Sequence, residues 1–431
     1  MDLLTPNDAP GTYPPSYYAA TATPLEPFPQ AKGALSCDVC VVGGGYSGLS
    51  AALHARQAGF DVVLLDAQRV GFGASGRNGG QVSVGQRVGQ DTLEGMVPRD
   101  QARALWDLSL ESVDLVRSLI ADHGIDCGWA DGIIEADHKA RFVPHSHAYA
   151  ETLQSDYGYD KIRAVGKDEM RSLVGSRAYY GGTLDMGGGH LHPLRYALGL
   201  ARAAQDGGVR IHERSTVTGV SDDAKVTTRE AEIKAKYVIL GCNGYLGALN
   251  DDVARRVMPI NNFIAATQPL PDRLARELIR DNHAVADSKF VINYFRLSDD
   301  NRMLFGGGES YGYRFPRDIA ATVRKPMLEI FPQLKDTPID YAWGGTLGIT
   351  MNRMPHFARV SDRVLSVSGY SGHGVAMATL GGKLAAETVA GQADKFDIFA
   401  NVPSPRFPGG RALRSPLLAL AMAWYALRDK L

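Results

Sequence analysis

Four cysteines in 431 residues are too few and too scattered for a disulfide framework. Cys37 and Cys40 have the spacing of a metal or redox pair, yet they share one apolar run and have no second pair. Both read as small core residues, and no metal is expected. Charge of one sign is missing too. Lys and Arg number 46 against 47 Asp and Glu, which removes any electrostatic case for nucleic acid or for an anionic membrane surface. No apolar run reaches the roughly 18–20 residues that span a bilayer. The first residues, MDLLTPNDAPGTYPPSYY, lack the basic and apolar regions of a signal peptide. With so little cysteine, a reducing cytoplasm is the expected compartment. One segment qualifies this picture: PLLALAMAWYALRDKL (416–431), within an expected C-terminal apolar helix 411–431, reads as docked on the protein, at a peripheral membrane contact or at a subunit interface. Monomer and homo-oligomer both stay open.

Glycine, by contrast, is plentiful at 48 residues. The segment Cys37-Asp-Val-Cys-Val-Val-Gly43-Gly-Gly45-Tyr-Ser-Gly48 ends an apolar run in G-x-G-x-x-G, and the helix-like LSAALHARQAGF follows. A second apolar run closes on Asp66. Strand, glycine turn, helix, strand and terminal acid together make a βαβ dinucleotide cradle. Gly43 permits the turn, Gly45 lets backbone approach a pyrophosphate, and Gly48 lets helix and strand pack closely. The helix N-terminus favours phosphate. Asp66 suits ribose hydroxyls and would repel a 2′-phosphate, so NAD or FAD is expected rather than NADP.

Next comes GFGASGRNGGQVSVG (71–85), a glycine-dense loop carrying Arg77, Asn78 and Gln81. Helical spacing marks 98–123 and 193–206, and Pro193 suits a first turn. Short strands fill 209–244, and β-type segments including FVINYFRLS and RMLFGGG dominate from about 255 to 343. The chain ends on a strand, RVLSVSGY, a turn, Ser371-Gly-His-Gly374, and a helix from Val375. That helix start offers unpaired N–H groups and a positive dipole end. An isoalloxazine ring, which gains negative charge on reduction, needs such a complement, whereas nicotinamide does not; flavin is therefore favoured. Because nucleotide features occupy both ends of the chain, the expected fold is two-domain α/β (α+β). Residues 34–95, 180–255 and 343–410 form a discontinuous Rossmann-type FAD-binding domain. Residues 96–179 and 256–342 form an antiparallel β-sheet substrate domain, and 1–33 an irregular N-terminal arm packed through Tyr13, Tyr17 and Tyr18.

GGGYSGLSAA, LLDA, GFGASGRNGGQ, GGTLGITMNRMP and SGYSGHGVAMATLGGKLAAE resemble the D-amino-acid oxidase/sarcosine oxidase superfamily of FAD oxidoreductases over nearly the whole chain. Within it the sequence is most similar to amine oxidases acting on gamma-glutamylputrescine. The resemblance implies an FAD site of Gly43, Gly45, Tyr46, Ser47, Gly48, Asp66 and Ala67 for the ADP half. It extends the site to Ala74, Ser75, Arg77, Asn78, Gly79, Gly80 and Gln81 of the loop, to Val217 and Gly345, and to Gly372, His373, Gly374 and Val375 of the last turn. Sarcosine oxidases attach flavin through a cysteine before the last strand, and other relatives use a histidine in the glycine loop. Residues 343–356 and Ser75-Gly-Arg77-Asn78 contain neither, so FAD is expected to be noncovalent. A lysine just after the last turn is replaced here by Val375, Ala376 and Met377. This suits an amine better than an α-amino acid held by its carboxylate.

The expected reaction is hydride transfer from the amine carbon to flavin, followed by imine hydrolysis to an aldehyde and ammonia. Dioxygen then reoxidises the flavin and yields hydrogen peroxide, within putrescine and polyamine catabolism. An alkylamine with pKa about 10 must lose a proton first, and a dry aromatic pocket of Tyr294, Phe295, Trp343 and Tyr370 would favour that. His373, Arg302 and Lys289 are the candidate cations for oxygen activation. A dehydrogenase passing electrons to a quinone, and a non-catalytic flavoprotein subunit, are the competing readings. The near pairs His145/His147 and His190/His192 are read as structural.

Overall fold

Val39–Val42 and Val62–Leu65 are buried along their whole length, and strands covered on both faces belong inside a parallel sheet. In the computed structural model, which describes residues 3–310 and 314–408, they are the centre of a six-stranded sheet. Its order is His356–Ser361, Val364–Ser368, Tyr237–Leu240, Val39–Val42, Val62–Leu65 and Arg210–His212. All neighbours run parallel except the terminal hairpin formed by the first two. Residues from the start, middle and end of the chain are thus interleaved in one sheet. The helices Tyr46–Gln57 and Gly374–Val389 cross in close contact above it. A Cβ at Gly382 would lie 2.1 Å from the Ser47 carbonyl oxygen, so only glycine lets these backbones meet.

A four-stranded sheet (Gly33–Ser36, Ala231–Lys234, Lys225–Thr228, Val217–Val220) flanks this unit. The third sheet, nine-stranded among the described residues, follows the order Ile339–Ile349, Met258–Thr267, Met303–Ser310, Tyr294–Leu297, Ala284–Asp287, Ala130–Ala136, Gly182–His190 and Gln81–Val82. Ile162–Val165 also pairs with Gly182–His190. It is antiparallel apart from one parallel pair, Ala284–Asp287 with Ala130–Ala136.

Four sequence expectations need correction. Gly182–His190, placed with the nucleotide half, belongs to the large sheet; its glycines let Tyr159, Trp129 and the Val82 carbonyl approach where a side chain would clash. Arg99–Asp122, placed with the substrate half, packs its Leu105, Leu108, Val113 and Val116 into the core beneath the nucleotide helices. It is also tied to Gly374–Val389 by Glu111–Lys383 at 3.0 Å. Within 255–343 a helix, Ile319–Ile330, interrupts the strands. It tolerates Pro326 because Val323, Met327 and Ile330 bury its inner face. Finally, the arm is not irregular throughout. It contains a helix, Tyr17–Thr21, capped by Ser16, and Gly33 already starts a strand. Tyr17 and Tyr18 are buried, and Tyr13 and Tyr17 donate to the Val70 carbonyl and to Asp300. The expected helix 411–431 lies outside the described residues; among those described, no helix is long and apolar enough to cross a membrane.

Candidate functional site

One cavity of about 690 Å³ lies between the C-terminal strand ends of the parallel sheet and the face of the large sheet. Its floor is built by glycine. Gly43 has φ +108°, and a Cβ there would stand 2.8 Å from the Gly241 carbonyl oxygen. At Gly48 a Cβ would lie 1.7 Å from the Gly43 carbonyl oxygen, which excludes every side chain. Gly48 is therefore buried behind the cavity and sets the distance between helix and strand. Tyr46–Gln57 begins on Gly45 without a side-chain cap. The Tyr46 N–H goes to Ser75 Oγ at 2.9 Å. The Ser47 and Gly48 N–H groups meet no acceptor among the described residues, and Ser47 lines the cavity.

Asp66 closes the next strand with both carboxylate oxygens engaged, Oδ2 by Gly44 N–H (2.6 Å) and Oδ1 by Gln68 N–H (2.7 Å). Burial pushes its carboxyl up to about 6, against the pull of these two bonds. Ala67 and Val217 line the same end. The glycine loop is fixed from within by Asn78. Its Nδ2 donates to the Ala74 and Ser75 carbonyls and to Tyr46 Oη, and its Oδ1 accepts from Gly80 N–H. Arg77 lines the cavity, but much of its guanidinium is engaged by the protein itself. It donates to the Phe72 and Gly344 carbonyls and pairs with Asp8 of the arm at 2.8 Å. It is a support of the loop more than the polar contact expected of it. Gly80, at φ +81°, lies behind the loop against the Leu191 carbonyl.

A second uncapped helix start reaches the cavity: Gly372, His373, Gly374 and Val375 line it, followed by Ala376 and Ala378. His373 Nε2 donates to the Gly85 carbonyl at 2.9 Å. Burial first, then Arg87, pull its pKa down to about 4. At neutral pH it is an uncharged imidazole, and the fixed positive charge expected of it is missing.

Opposite these helix ends, cross-strand neighbours Glu135, Ala286 and Tyr294 present one row of side chains from the large sheet. The Tyr294 ring lies over Gly79 and Gly306, where a Cβ would come within 2.7 and 2.1 Å, and its hydroxyl donates to Asn262. Other expected groups are elsewhere. Trp343 is buried behind the glycine loop and donates to the Arg77 carbonyl at 3.0 Å. Phe295 faces the other side of its sheet, in the core with Phe305 and Phe331. Tyr370 touches the cavity, but its hydroxyl is bonded to Ser47 Oγ (2.7 Å) under the last helix. Arg302 is held by Asp300 and Asp340, and Lys289 faces Glu329 at 4.0 Å; neither lines the cavity. The remaining histidines of interest have local partners. His192 caps Pro193–Asp206, His190 bonds the Asn282 carbonyl and His147 the Val165 carbonyl. Sequence reasoning missed Arg87, Glu135, Asn262, Phe290 and Ile292, all on the cavity wall. Only Glu135, a carboxylate set directly after the apolar pair Ile133–Ile134, left a trace in the sequence.

The glycine floor, the two helix starts and the acid that closes the second strand fit a flavin dinucleotide. The model of the family described as FAD dependent oxidoreductase (DAO) matches residues 38–388. The chain belongs to this family. It is 42% identical to a gamma-glutamylputrescine oxidoreductase of Escherichia coli, covering 96% of this chain and 98% of that one. A probable oxidoreductase, OrdL, of Rhizobium meliloti is 40% identical over 96% and 97% of the two chains. Among solved structures, glycine oxidase from Geobacillus kaustophilus superposes with a TM-score of 0.70 at 20% identity, covering 83% of this chain and 95% of its own. L-proline dehydrogenase from P. horikoshii gives 0.69 at 19%, over 86% and 96%. The protein is thus an FAD-dependent oxidoreductase of two-domain α/β fold.

Proposed function

We propose that this chain oxidises the terminal primary amine of gamma-glutamylputrescine, or of a closely similar gamma-glutamylated amine, in putrescine and polyamine catabolism. The overall change is amine plus dioxygen plus water to aldehyde, ammonia and hydrogen peroxide. The likeness to gamma-glutamylputrescine oxidoreductase over 96% of the chain carries this reading, and the cavity supports it. FAD bound there supplies the two-electron acceptor. We assign its ADP half to Gly43, Gly45, Tyr46, Ser47, Asp66, Ala67 and Val217, with Gly48 behind them. Its ring end falls to Ala74–Gln81, Gly345 and the turn Gly372–Val375.

Cys242 supports noncovalent attachment. It is the cavity's one cysteine among the described residues, and burial beside Asp66 pushes its thiol up to about 12, far from a nucleophilic thiolate. Ala286, Phe290, Ile292, Tyr294 and Ile264 give the roof a largely apolar surface. Such a surface disfavours an ammonium and so favours the neutral amine from which hydride can leave. The turn that carries Val375 and Ala376 offers no lysine to a carboxylate beside the reacting carbon. The substrate domain is assigned to the large sheet with its packed helices, the FAD domain to the two smaller sheets, and the cytoplasm is the proposed location.

Anaerobic mixing tests this reading. Gamma-glutamylputrescine should bleach the flavin band of the purified protein, and admitting air should restore it with one peroxide per turnover. Bleaching by sarcosine or D-alanine in its place would overturn the substrate class. Bleaching that air leaves in place, and a quinone reverses, would overturn the choice of oxidant.

A further inference from the structure

Most charged side chains that touch the cavity are spoken for. Asp66 is held by backbone N–H groups, and Arg77 is held by Asp8. Arg87 and Glu135 are different. Both line the cavity, and neither makes an ion pair or side-chain hydrogen bond with any described residue, including each other. They are nevertheless close enough for the Arg87 charge to act on the Glu135 carboxyl.

Their mounts are rigid. Glu135 sits in a seven-residue strand paired on both sides, to Ala284–Asp287 and to Gly182–His190. Arg87 is flanked by Gln86 and Gln90, whose side-chain amides donate to the Leu105 and Ala102 carbonyls at 2.9 and 2.7 Å. The Gly85 carbonyl just before it holds His373. A flexible surface pair would close on itself. These two are held apart, facing one space.

Resting on the substrate reading above, we infer that Arg87 and Glu135 form a clamp for a zwitterionic α-amino-acid head, Arg87 taking its carboxylate and Glu135 its ammonium. In gamma-glutamylputrescine both groups sit on one carbon at the end opposite the oxidised amine. Such a head inserts two opposite charges into a gap that already separates two opposite charges. The guanidinium offers paired donors matched to a carboxylate. Glu135 accepts from an ammonium, which restores the anionic form that desolvation and the neighbouring Asp287, Asp137 and Asp185 oppose. The clamp would make the enzyme select the gamma-glutamylated amine over putrescine, since the free diamine brings no carboxylate and leaves the Arg87 guanidinium unpaired in the site.

The test separates the two ends of the substrate. Gamma-glutamyl-n-butylamide keeps the amino-acid head and lacks the oxidisable amine; N-acetylputrescine keeps the amine and lacks the head. Calorimetry on the FAD-loaded protein should show Arg87→Met binding the butylamide about 30-fold more weakly than the parent, and Glu135→Gln about 10-fold. The parent's preference for gamma-glutamylputrescine over N-acetylputrescine in flavin reduction should shrink by similar factors. Unchanged butylamide affinity in both variants would overturn the clamp. So would equal losses toward both amines, which would place the pair at the reacting end. Arg87→Gln carries the same criteria should Arg87→Met fail to accumulate. If the parent binds the butylamide but reduces its flavin with neither amine, the substrate reading fails while head recognition stands.

Discussion

The two ends of the cavity are built on opposite principles. At the nucleotide end, the side chains on the wall are tied down by neighbours close in sequence or by backbone. Asp66 is held by Gly44 and Gln68, Asn78 by its own loop, and Ser75 by the helix start. At the roof end, Arg87 and Glu135 come from segments far apart in the chain and make no ion pair with any described residue. A site for one invariant ligand can afford to saturate its own polar groups and recognise through shape and backbone. A site that must choose among amines keeps its charges free for the ligand. Mutations at the first end should therefore cost structure and cofactor; mutations at the second should cost selectivity.

The largest effect expected is at Gly48. Alanine there would put Cβ 1.7 Å from the Gly43 carbonyl oxygen, and a backbone contact of that kind cannot be relieved by a rotamer. Gly48→Ala should yield no folded yellow protein, measured as FAD per chain after desalting and as a lost thermal transition. Recovery of FAD-loaded protein would mean the cradle is softer than its contacts indicate. Second is Arg77→Met. Arg77 and Asp8 are both largely shielded from solvent, and removing one partner of a buried pair costs about 3 kcal/mol or more. Urea midpoints should fall accordingly, and proteolysis in the arm should quicken. The butylamide affinity of the FAD-loaded fraction should hold, which separates this arginine from Arg87. Third, Asp66→Ala strips the acceptor from two backbone N–H groups. It should lower stability by about 1–3 kcal/mol and weaken FAD binding about tenfold or more, read by flavin fluorescence on dilution.

The same contrast explains what the sequence reveals. The parallel βαβ, the glycine floor, the helix from Gly374 and the helix Pro193–Asp206 are legible because each is contiguous and strongly patterned. A turn glycine and the strand before it lie within a few residues. The roof is not legible in that way. Glu135 meets Ala286, and through it Tyr294, only by strand pairing across about 150 residues, and no local period announces it. Aromatic residues invited the opposite error. Trp343 and Phe295 look like pocket walls, as Tyr370 is one, yet a large apolar ring gains most by burial. Trp343 and Phe295 went to the core, and Tyr370 tucked its hydroxyl onto Ser47. Gly182–His190 was obscured by its own glycines, which weaken strand propensity while admitting the neighbours that hold it.

The smallest effect is also the sharpest division between the ends. Glu135 is exposed to the cavity, yet the enclosing walls strip enough water from its carboxyl to push it up to about 7 from an ordinary 4.5, with Arg87 opposing and Asp287, Asp137 and Asp185 adding to it. The folded chain therefore holds a proton there more tightly than the unfolded chain does. Such a group contributes stability that is full below the unfolded value near 4.5 and is lost as pH rises through about 7. Glu135→Gln stays uncharged at every pH and cannot lose that contribution. In the ligand-free protein the variant should match its parent near pH 5 and exceed it near pH 8, compared by urea midpoints of the two chains at each pH. Taking the difference between chains cancels the buried histidines. His190, His192, His356 and His373 are all held neutral by burial and lose stability in the opposite sense, as pH falls below their ordinary 6.5. Saturating butylamide should reverse the order at pH 8, because the bound ammonium then favours the carboxylate over the amide. A Glu135→Gln chain less stable than its parent at pH 8 without ligand would mean that Glu135 already has a partner in the folded protein. The roof would then be saturated like the cradle, and the contrast between the two ends would disappear.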